Sequence, residues 1–269
     1  MTAMEWPLDS LSRSLGSLLP GWRVESVPQI DSTNSELLRR ARAGQTRPSL
    51  LVADAQTGGR GRMGRAWQSA PEAPGTTLAF SVGLNLDPGD WSGLSLAVGL
   101  ALAESLHPDI RIKWPNDLWW QGRKLAGILI ETAGPANVRG RFVVIGVGIN
   151  ILPIVSVPGA GAAPEAEAFS TPPAWTTAID PALNAPATLA RVAAPLLQAV
   201  LAFERAGFAP LASRFNALDA FAGIEVRLTD GTEGRACGVA SNGAFRVQTV
   251  DGVREIFSAE VSVRPRSGA

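Results

Sequence analysis

The spacing of apolar and polar positions divides the chain into stretches of different period. An amphipathic segment near the N-terminus reads as a short helix, residues 22–30 read as a strand, and 50–53 form an apolar run suited to a second strand. Between them Leu37, Leu38 and Ala41 repeat at helical spacing, with Thr33 and Glu36 as a Thr-x-x-Glu capping box and Gly44 as the stop. Residues 76–84 predict a third strand. Residues 91–106 carry Leu94, Ala97, Val98, Ala101, Leu102 and Leu106 at the period of a helix. Short strands follow at 110–114, 118–120, 124–132 and 141–151, with turns at Gly122 and near Asn137. Connections this short cannot hold crossover helices, so the sheet is expected to be largely antiparallel. Helical spacing returns over 187–216, and the whole pattern is α+β rather than doubly wound.

Two segments break the pattern. Residues 153–187 are rich in Pro and Ala and read as a surface excursion, in which Trp175 is an isolated aromatic suited to local packing. In the final fifty residues Asp230-Gly231, Asn242-Gly243 and Asp251-Gly252 punctuate short runs of Val, Leu, Ile and Phe. That is the signal of a small hairpin-built barrel. The division falls near Asp219, giving a larger domain at 1–218 and a small β-barrel at 219–269.

Composition narrows the chemistry. A formal net charge of zero supplies no general field to draw in nucleic acid. The single cysteine, Cys237, has no partner for an intramolecular disulfide. The N-terminus lacks a basic start followed by an apolar core, and no run of about 18 apolar residues occurs, so a cytoplasmic location without a membrane partner is expected. The one histidine, His107, follows a helical pattern and precedes Pro108, the place of a helix C-terminal residue. With so little His and Cys, any metal is expected to be a hard ion held by carboxylates and phosphates. Of 24 basic residues only Lys113 and Lys124 are lysine, eleven positions apart. A GC-rich genome gives the same bias; a phosphoryl or carboxylate site, where a compact ammonium fits better than a planar guanidinium, gives it too.

The stretch "GGRGRMGRAW" at 58–67 has the glycine spacing of a dinucleotide fingerprint. That motif needs a strand before it and a helix opening inside it. The strand is present, but Pro71, Pro74 and Gly75 follow and lead into another strand. An anion-binding loop bearing Arg60, Arg62 and Arg65 is the reading that remains. At "DSTN", 31–34, a helix cap suffices, although free N–H groups and hydroxyls at a helix start also receive small polar ligands.

Taken together, "DSTN" (31–34), "QTGGRGRMGRAW" (56–67), "KWPNDL" (113–118), "KLAGIL" (124–129) and "GVGIN" (146–150) resemble the biotin protein ligases, in that family's order. The resemblance runs from about residue 22 to the end. It implies a catalytic domain like that of class II aminoacyl-tRNA synthetases, with a mixed or antiparallel sheet, and a small SH3-like C-terminal β-barrel. It also implies a two-step reaction: biotin and MgATP give biotinyl-5′-AMP, and a lysine of a biotin carboxyl carrier domain of acetyl-CoA carboxylase or a related carboxylase then takes the biotin. ATP and biotin would be substrates, with Mg²⁺ assisting.

Carried over residue by residue, the biotin site comprises Ser32, Thr33, Asn34, Gln56, Arg60, Gly61, Arg62, Lys124 and Gly127. The ATP site comprises Arg60, Arg62, Arg65, Trp67, Lys113, Asn116 and Asn150, with Trp67 offering a face to adenine. Lys113 is the expected catalytic cation at the α-phosphate, with Arg60 and Asp117 beside it. Pro115 biases Trp114 to an extended conformation, ending the strand so that Asn116 and Asp117 project at its rim. Asp117 is either the Mg²⁺ ligand or half of a turn-forming pair; Asn150 either contacts adenine or ends a strand. About twenty residues precede the first strand, too few for the winged-helix domain of family members that repress transcription, so DNA is not an expected partner. Monomer and homodimer both stay open. A lipoate or octanoate ligase or transferase shares the fold, and a nucleic-acid binder using the Arg-Gly loop is the alternative outside enzymes.

Overall fold

The structure, a computed structural model, describes residues 4–67, 73–134, 140–153, 172–257 and 263–265. The expected turn near Asn137 and most of the Pro/Ala-rich stretch lie outside them. Seven strands form the first sheet: β1 (Arg23–Ile30), β2 (Ser49–Gln56), β3 (Thr77–Leu86), β4 (Arg111–Lys113), β5 (Asp117–Trp120), β6 (Arg123–Ala133) and β7 (Arg141–Asn150). Their order is β1-β2-β3-β7-β6-β5-β4. Only β1 and β2 run parallel, joined through helix α2 (Thr33–Arg42); the other neighbours are antiparallel, as the short connections require.

Side-chain alternation gives the sheet two buried faces. On one, Phe80, Val82, Val143, Ile145, Val147 and Ile149 share a core with helices α1 (Leu8–Leu18), α3 (Leu94–Leu106) and α5 (Ala185–Ala206). On the other, Leu37 and Leu38 of α2 pack on Leu51, Phe142 and Val144. Truncating either leucine to Ala costs about 2–5 kcal/mol at a site this closed. Because β7 is covered on both sides it reads as an unbroken apolar run instead of an alternating one. Toward its end the positions on the α2 face are Gly146, Gly148 and Asn150, and at the two glycines the cover gives way to a trough.

Three expectations need correction. The N-cap of α2 is Ser32, not Thr33: Ser32 Oγ accepts the Ser35 N–H at 3.4 Å, while Thr33 is the first helical residue. Glu36 reaches no cap and pairs instead with Arg39 and Arg40. The helical stretch 187–216 is two helices, α5 and α6 (Ala212–Leu218), because Gly207 at φ 65° ends the first and a 3-10 turn containing Pro210 intervenes. The surface excursion is partly core: Ala174, Thr176 and Leu183 are buried around the one-turn helix α4 (Thr176–Ile179). Moreover α5 is long and apolar enough to cross a membrane by composition, yet its apolar face packs on α3 and α1 within the core.

Beyond α6 the chain forms a second, antiparallel sheet of β8 (Glu225–Leu228), β9 (Glu233–Val239), β10 (Phe245–Thr249), β11 (Gly252–Ile256) and β12 (Val263–Pro265), in the order β11-β10-β9-β8-β12. The three predicted Asx-Gly turns connect its hairpins, with Gly231 and Gly243 in the left-handed region. Among the described residues no pairing closes this sheet into a barrel. Its inner side joins the core of the first sheet, and Trp114 Nε1 donates to Gly243 O at 3.1 Å while its ring stacks on Phe245.

Candidate active site

A single register row crosses the first sheet through Lys113, Asp117, Gly127, Gly148, Ala79 and Ala53. Charge sits at one end of the row and small residues fill the rest, leaving a trough beside α2. The glycines are sterically required: a Cβ on Gly146 would fall within 3.0 Å of the Asn34 amide, and one on Gly148 within 3.0 Å of the Trp67 indole. Glycine at alternate positions of "GVGIN" thus makes room for one polar and one aromatic side chain.

At the start of α2 the polar groups form a closed network. Gln56 Oε1 accepts the Thr33 N–H at 2.8 Å and the Thr33 hydroxyl at 3.1 Å. The hydroxyl of Ser81 lies 2.7 Å from Thr33 Oγ1 and 2.6 Å from Asn34 Oδ1, its one proton serving either. Asn34 Nδ2 donates to Leu129 O and to Glu131 Oε2 at 3.0 Å, and the same carboxylate oxygen meets Arg60 Nη2 at 2.7 Å. Ser81 and Glu131 were missed from sequence. Their signal was a polar residue inside an apolar strand, at a position whose alternation points it to the α2 face.

The arginine loop folds on itself. Arg60 bridges Ala66, the Gly61 N–H donates to Arg65 O at 2.7 Å, and the Trp67 N–H donates to Gly59 O at 2.9 Å. A 3-10 turn at Arg62–Gly64 reverses the chain, with Met63 at φ 57° and Gly64 at φ 72°. The Arg65 N–H donates to Arg62 O at 3.2 Å, so the amides of Gly61, Arg65 and Trp67 are all engaged within the loop. Arg62 Nη1 donates to Asn116 Oδ1 at 2.8 Å, and Asn116 Nδ2 to Ile128 O, which ties the loop to the β4–β5 turn. Burial pushes the Arg62 guanidinium below its ordinary pKa, opposed by the charge of Asp117.

Residues 114–116 form the tight turn between β4 and β5, so Trp114 lies just beyond the strand, in a turn whose Trp114–Pro115 peptide is cis. Lys113 Nζ lies 4.8 Å from the Trp119 ring centroid and 5.7 Å from that of Phe221. Burial lowers its pKa, with Asp117 raising it in part. Lys124 Nζ lies 2.9 Å from Asp117 Oδ1, in charge contact but outside hydrogen-bond angles, and 5.7 Å from the Trp67 ring. Trp67 thereby borders Gly127, Gly148 and Lys124. The Asn150 amide donates to Lys124 O at 3.3 Å, a strand-end contact. Ser32 is occupied as the cap.

Six buried side-chain polar atoms have no hydrogen-bond partner among the described residues, and four of them line this trough: Arg62 Nη2, Trp67 Nε1, Asp117 Oδ1 and Trp119 Nε1. Buried polar groups are seldom left unpaired, and this clustering, in which Asp117 Oδ1 meets only the Lys124 ammonium, makes the trough the candidate site. No group of three His, Cys, Asp or Glu that could cage a metal occurs among the described residues. One carboxylate, Asp117, whose Oδ1 makes a charge contact with Lys124 and no hydrogen bond, suits a hard ion that takes its other ligands from phosphates and water. By contrast, an open depression of about 520 Å³ near Arg23, Arg40 and Arg47 has its guanidinium groups already bound to Glu25, Glu36 and backbone carbonyls.

Comparisons with known proteins identify the family. Residues 26–150 match the model of the biotin/lipoate A/B protein ligase family. The chain is 35% identical over 256 residues to the bifunctional ligase/repressor BirA of Escherichia coli, covering 91% of this chain and 75% of the relative. It is 34% identical over 251 residues to the biotin–[acetyl-CoA-carboxylase] ligase of Paracoccus denitrificans, covering 87% and 98%. The biotin protein ligase from Aquifex aeolicus in complex with biotin and ATP superposes with a TM-score of 0.71 at 26% identity, over 91% of this chain and 99% of that one. The chain belongs to the biotin/lipoate A/B protein ligase family.

Proposed function

We propose that this chain is a biotin protein ligase acting in two steps on the trough described above. In the first, a carboxylate oxygen of biotin attacks the α-phosphorus of ATP; an acyl–phosphate bond forms and pyrophosphate leaves. In the second, the ε-amine of a carrier lysine attacks the acyl carbon, an amide forms and AMP leaves. The observation that carries the reading is the set of buried side-chain atoms without a hydrogen-bond partner, Arg62 Nη2, Trp67 Nε1 and Trp119 Nε1, in a trough that Lys113, Lys124 and the loop arginines make cationic; the two-step chemistry needs no protein nucleophile.

Lys113 stands at the charged end of the row, where its ammonium neutralises charge growing on the α-phosphate in the transition state. Arg60, Arg62 and Arg65 supply further positive charge from the loop, and Gly61 allows its close fold. Ser32, Thr33, Asn34 and Gln56, with Gly127 and Lys124, form the biotin end, where hydroxyl and amide groups match the ureido donors and carbonyl. Trp67 bridges the two ends, and Asn116 and Asn150 hold the rim toward ATP. Asp117 would hold Mg²⁺, which when bound adds charge neutralisation on the phosphates. The acceptor is a biotin carboxyl carrier domain, with residues 1–218 as the catalytic part and 219–269 as its C-terminal companion.

Incubation with biotin, MgATP and an acetyl-CoA carboxylase carrier domain, read by mass spectrometry, tests this. Biotin added at one lysine, abolished when that lysine is replaced by Arg, is the expected result. A carrier left unmodified, with the enzyme correctly folded, would overturn the acceptor assignment.

A further inference from the structure

The strand that carries Lys113 is an edge strand of the first sheet, and its far side is held by the segment that leads into the second. Both chain neighbours of Lys113 are anchored there. Ile112 forms a parallel bridge with Asp219, and its carbonyl accepts the Ala220 N–H at 3.0 Å. On the other side Trp114 is tied to Gly243 and stacked on Phe245 at 5.4 Å. Asp219 Oδ1 accepts the Phe221 N–H at 3.0 Å, fixing a short turn that brings the Phe221 ring to the Lys113 ammonium. Trp119 faces the same ammonium, and its ring meets Phe221 edge-on at 5.6 Å and 80°.

We infer that Phe221, with Trp119, is a positioning residue for the first half-reaction: a two-ring clamp through which the C-terminal segment holds the Lys113 ammonium toward the α-phosphate. An ammonium within about 6 Å of an aromatic face is attracted by the ring quadrupole, more strongly where water is excluded. Phe221 is 2% exposed, so its ring also denies water to that side of Lys113. The other charges around the ammonium are Asp117 across the hairpin, Lys124 on β6, Arg65 on the loop and Arg264 on β12. Of these only Asp117 attracts it, and the rings supply an attraction and an orientation that the like charges do not. The segment leading into the C-terminal sheet is thus coupled to the Lys113 ammonium. This inference rests on Lys113 being the catalytic cation.

The two lysines make a direct test available. Phe221→Leu keeps apolar volume and removes the ring, whereas Phe221→Tyr keeps the ring. Brief acetylation of the full chain at one pH, with each lysine quantified by peptide mass spectrometry, reads Lys113 against Lys124 as internal reference. Phe221→Leu is expected to raise relative labelling of Lys113 severalfold and to lower kcat for biotinyl-AMP formation by about three- to tenfold, with KM for biotin unchanged. Phe221→Tyr is expected to retain both values. Unchanged labelling in the Leu variant would overturn the clamp, and raised labelling with unchanged kcat would overturn its link to the chemistry. Normal turnover in Lys113→Ala would instead remove Lys113 from the mechanism, a failure of the earlier reading that the labelling experiment reports separately.

Discussion

Trp67 and Gly148 are fitted to each other: a Cβ on Gly148 would lie within 3.0 Å of three atoms of the Trp67 indole. Trp67 closes the arginine loop onto β7, so this contact connects loop position to the floor of the trough. Gly148→Ala is therefore expected to displace the indole and reduce biotin-dependent adenylate formation by at least about tenfold, since a displacement near 1 Å can cost more than that. Gly16→Ala is the control: it lies in α1 with nothing within 4 Å of its added Cβ, and gains up to about 1 kcal/mol of helix stability. Steady-state kinetics and thermal unfolding of both variants check the pair. Equal activity in Gly148→Ala would show that the loop does not depend on this contact.

Lys113→Ala removes the ammonium held between Trp119 and Phe221. Adenylate formation is expected to fall by about 10²–10³ with the fold retained, the usual cost of losing one preorganised charge-stabilising group. Quenched-flow measurement of biotinyl-AMP would show this, and a loss below threefold would assign the role elsewhere.

The ion pair of Arg60 with Glu131 holds one of the loop's exposed arginines against β6. If Arg60 exchanges this partner for the adenylate, Arg60→Gly releases biotinyl-AMP roughly tenfold faster, a change of about 1.4 kcal/mol in retention. Biotin appearing on bystander lysines of an added unrelated protein is the readout. Leakage at the wild-type level would show that the loop is no lid.

Asp219 gives a pH signature of stability. Burial pushes its carboxyl up to about 6, opposed by the hydrogen bond from the Phe221 N–H, and its Oδ2 has no partner. A raised folded pKa means that the native state binds the proton more tightly than the unfolded chain does. The stabilisation is complete below about pH 4 and is lost as pH rises through about 6. Asp219→Asn keeps an oxygen acceptor for Phe221 and cannot ionise. Thermal unfolding of the two proteins from pH 4 to 7.5 is expected to diverge with rising pH, the variant gaining on the order of 2 kcal/mol at the upper end. Parallel curves would show that Asp219 is not buried as a charge at neutral pH.

Much of this was legible in the sequence because the informative residues are local. Glycine at alternate positions of β7, the two isolated lysines and the Asx-Gly turns each follow from a short stretch, and the α+β class follows from connection lengths. The cap of α2 was misassigned by one residue, since Ser32 and Thr33 are both accepted caps and the second is engaged by distant partners, Gln56, 23 positions away, and Ser81. Ser81, Glu131 and Phe221 acquire their roles from strand register and from contacts between sheets, which no window of neighbouring residues contains. The break at Gly207 was masked by apolar spacing that resumes in α6 after one turn.

The most direct test of the account is ATP–pyrophosphate exchange on purified protein with Mg²⁺, run separately with biotin, lipoate and octanoate. Exchange with biotin and not with the other two is the expected result, because the proposed biotin end offers the hydroxyl and amide groups of Thr33, Asn34 and Gln56, which suit a ligand with its own donors and acceptors. Exchange with lipoate or octanoate and none with biotin would contradict the account.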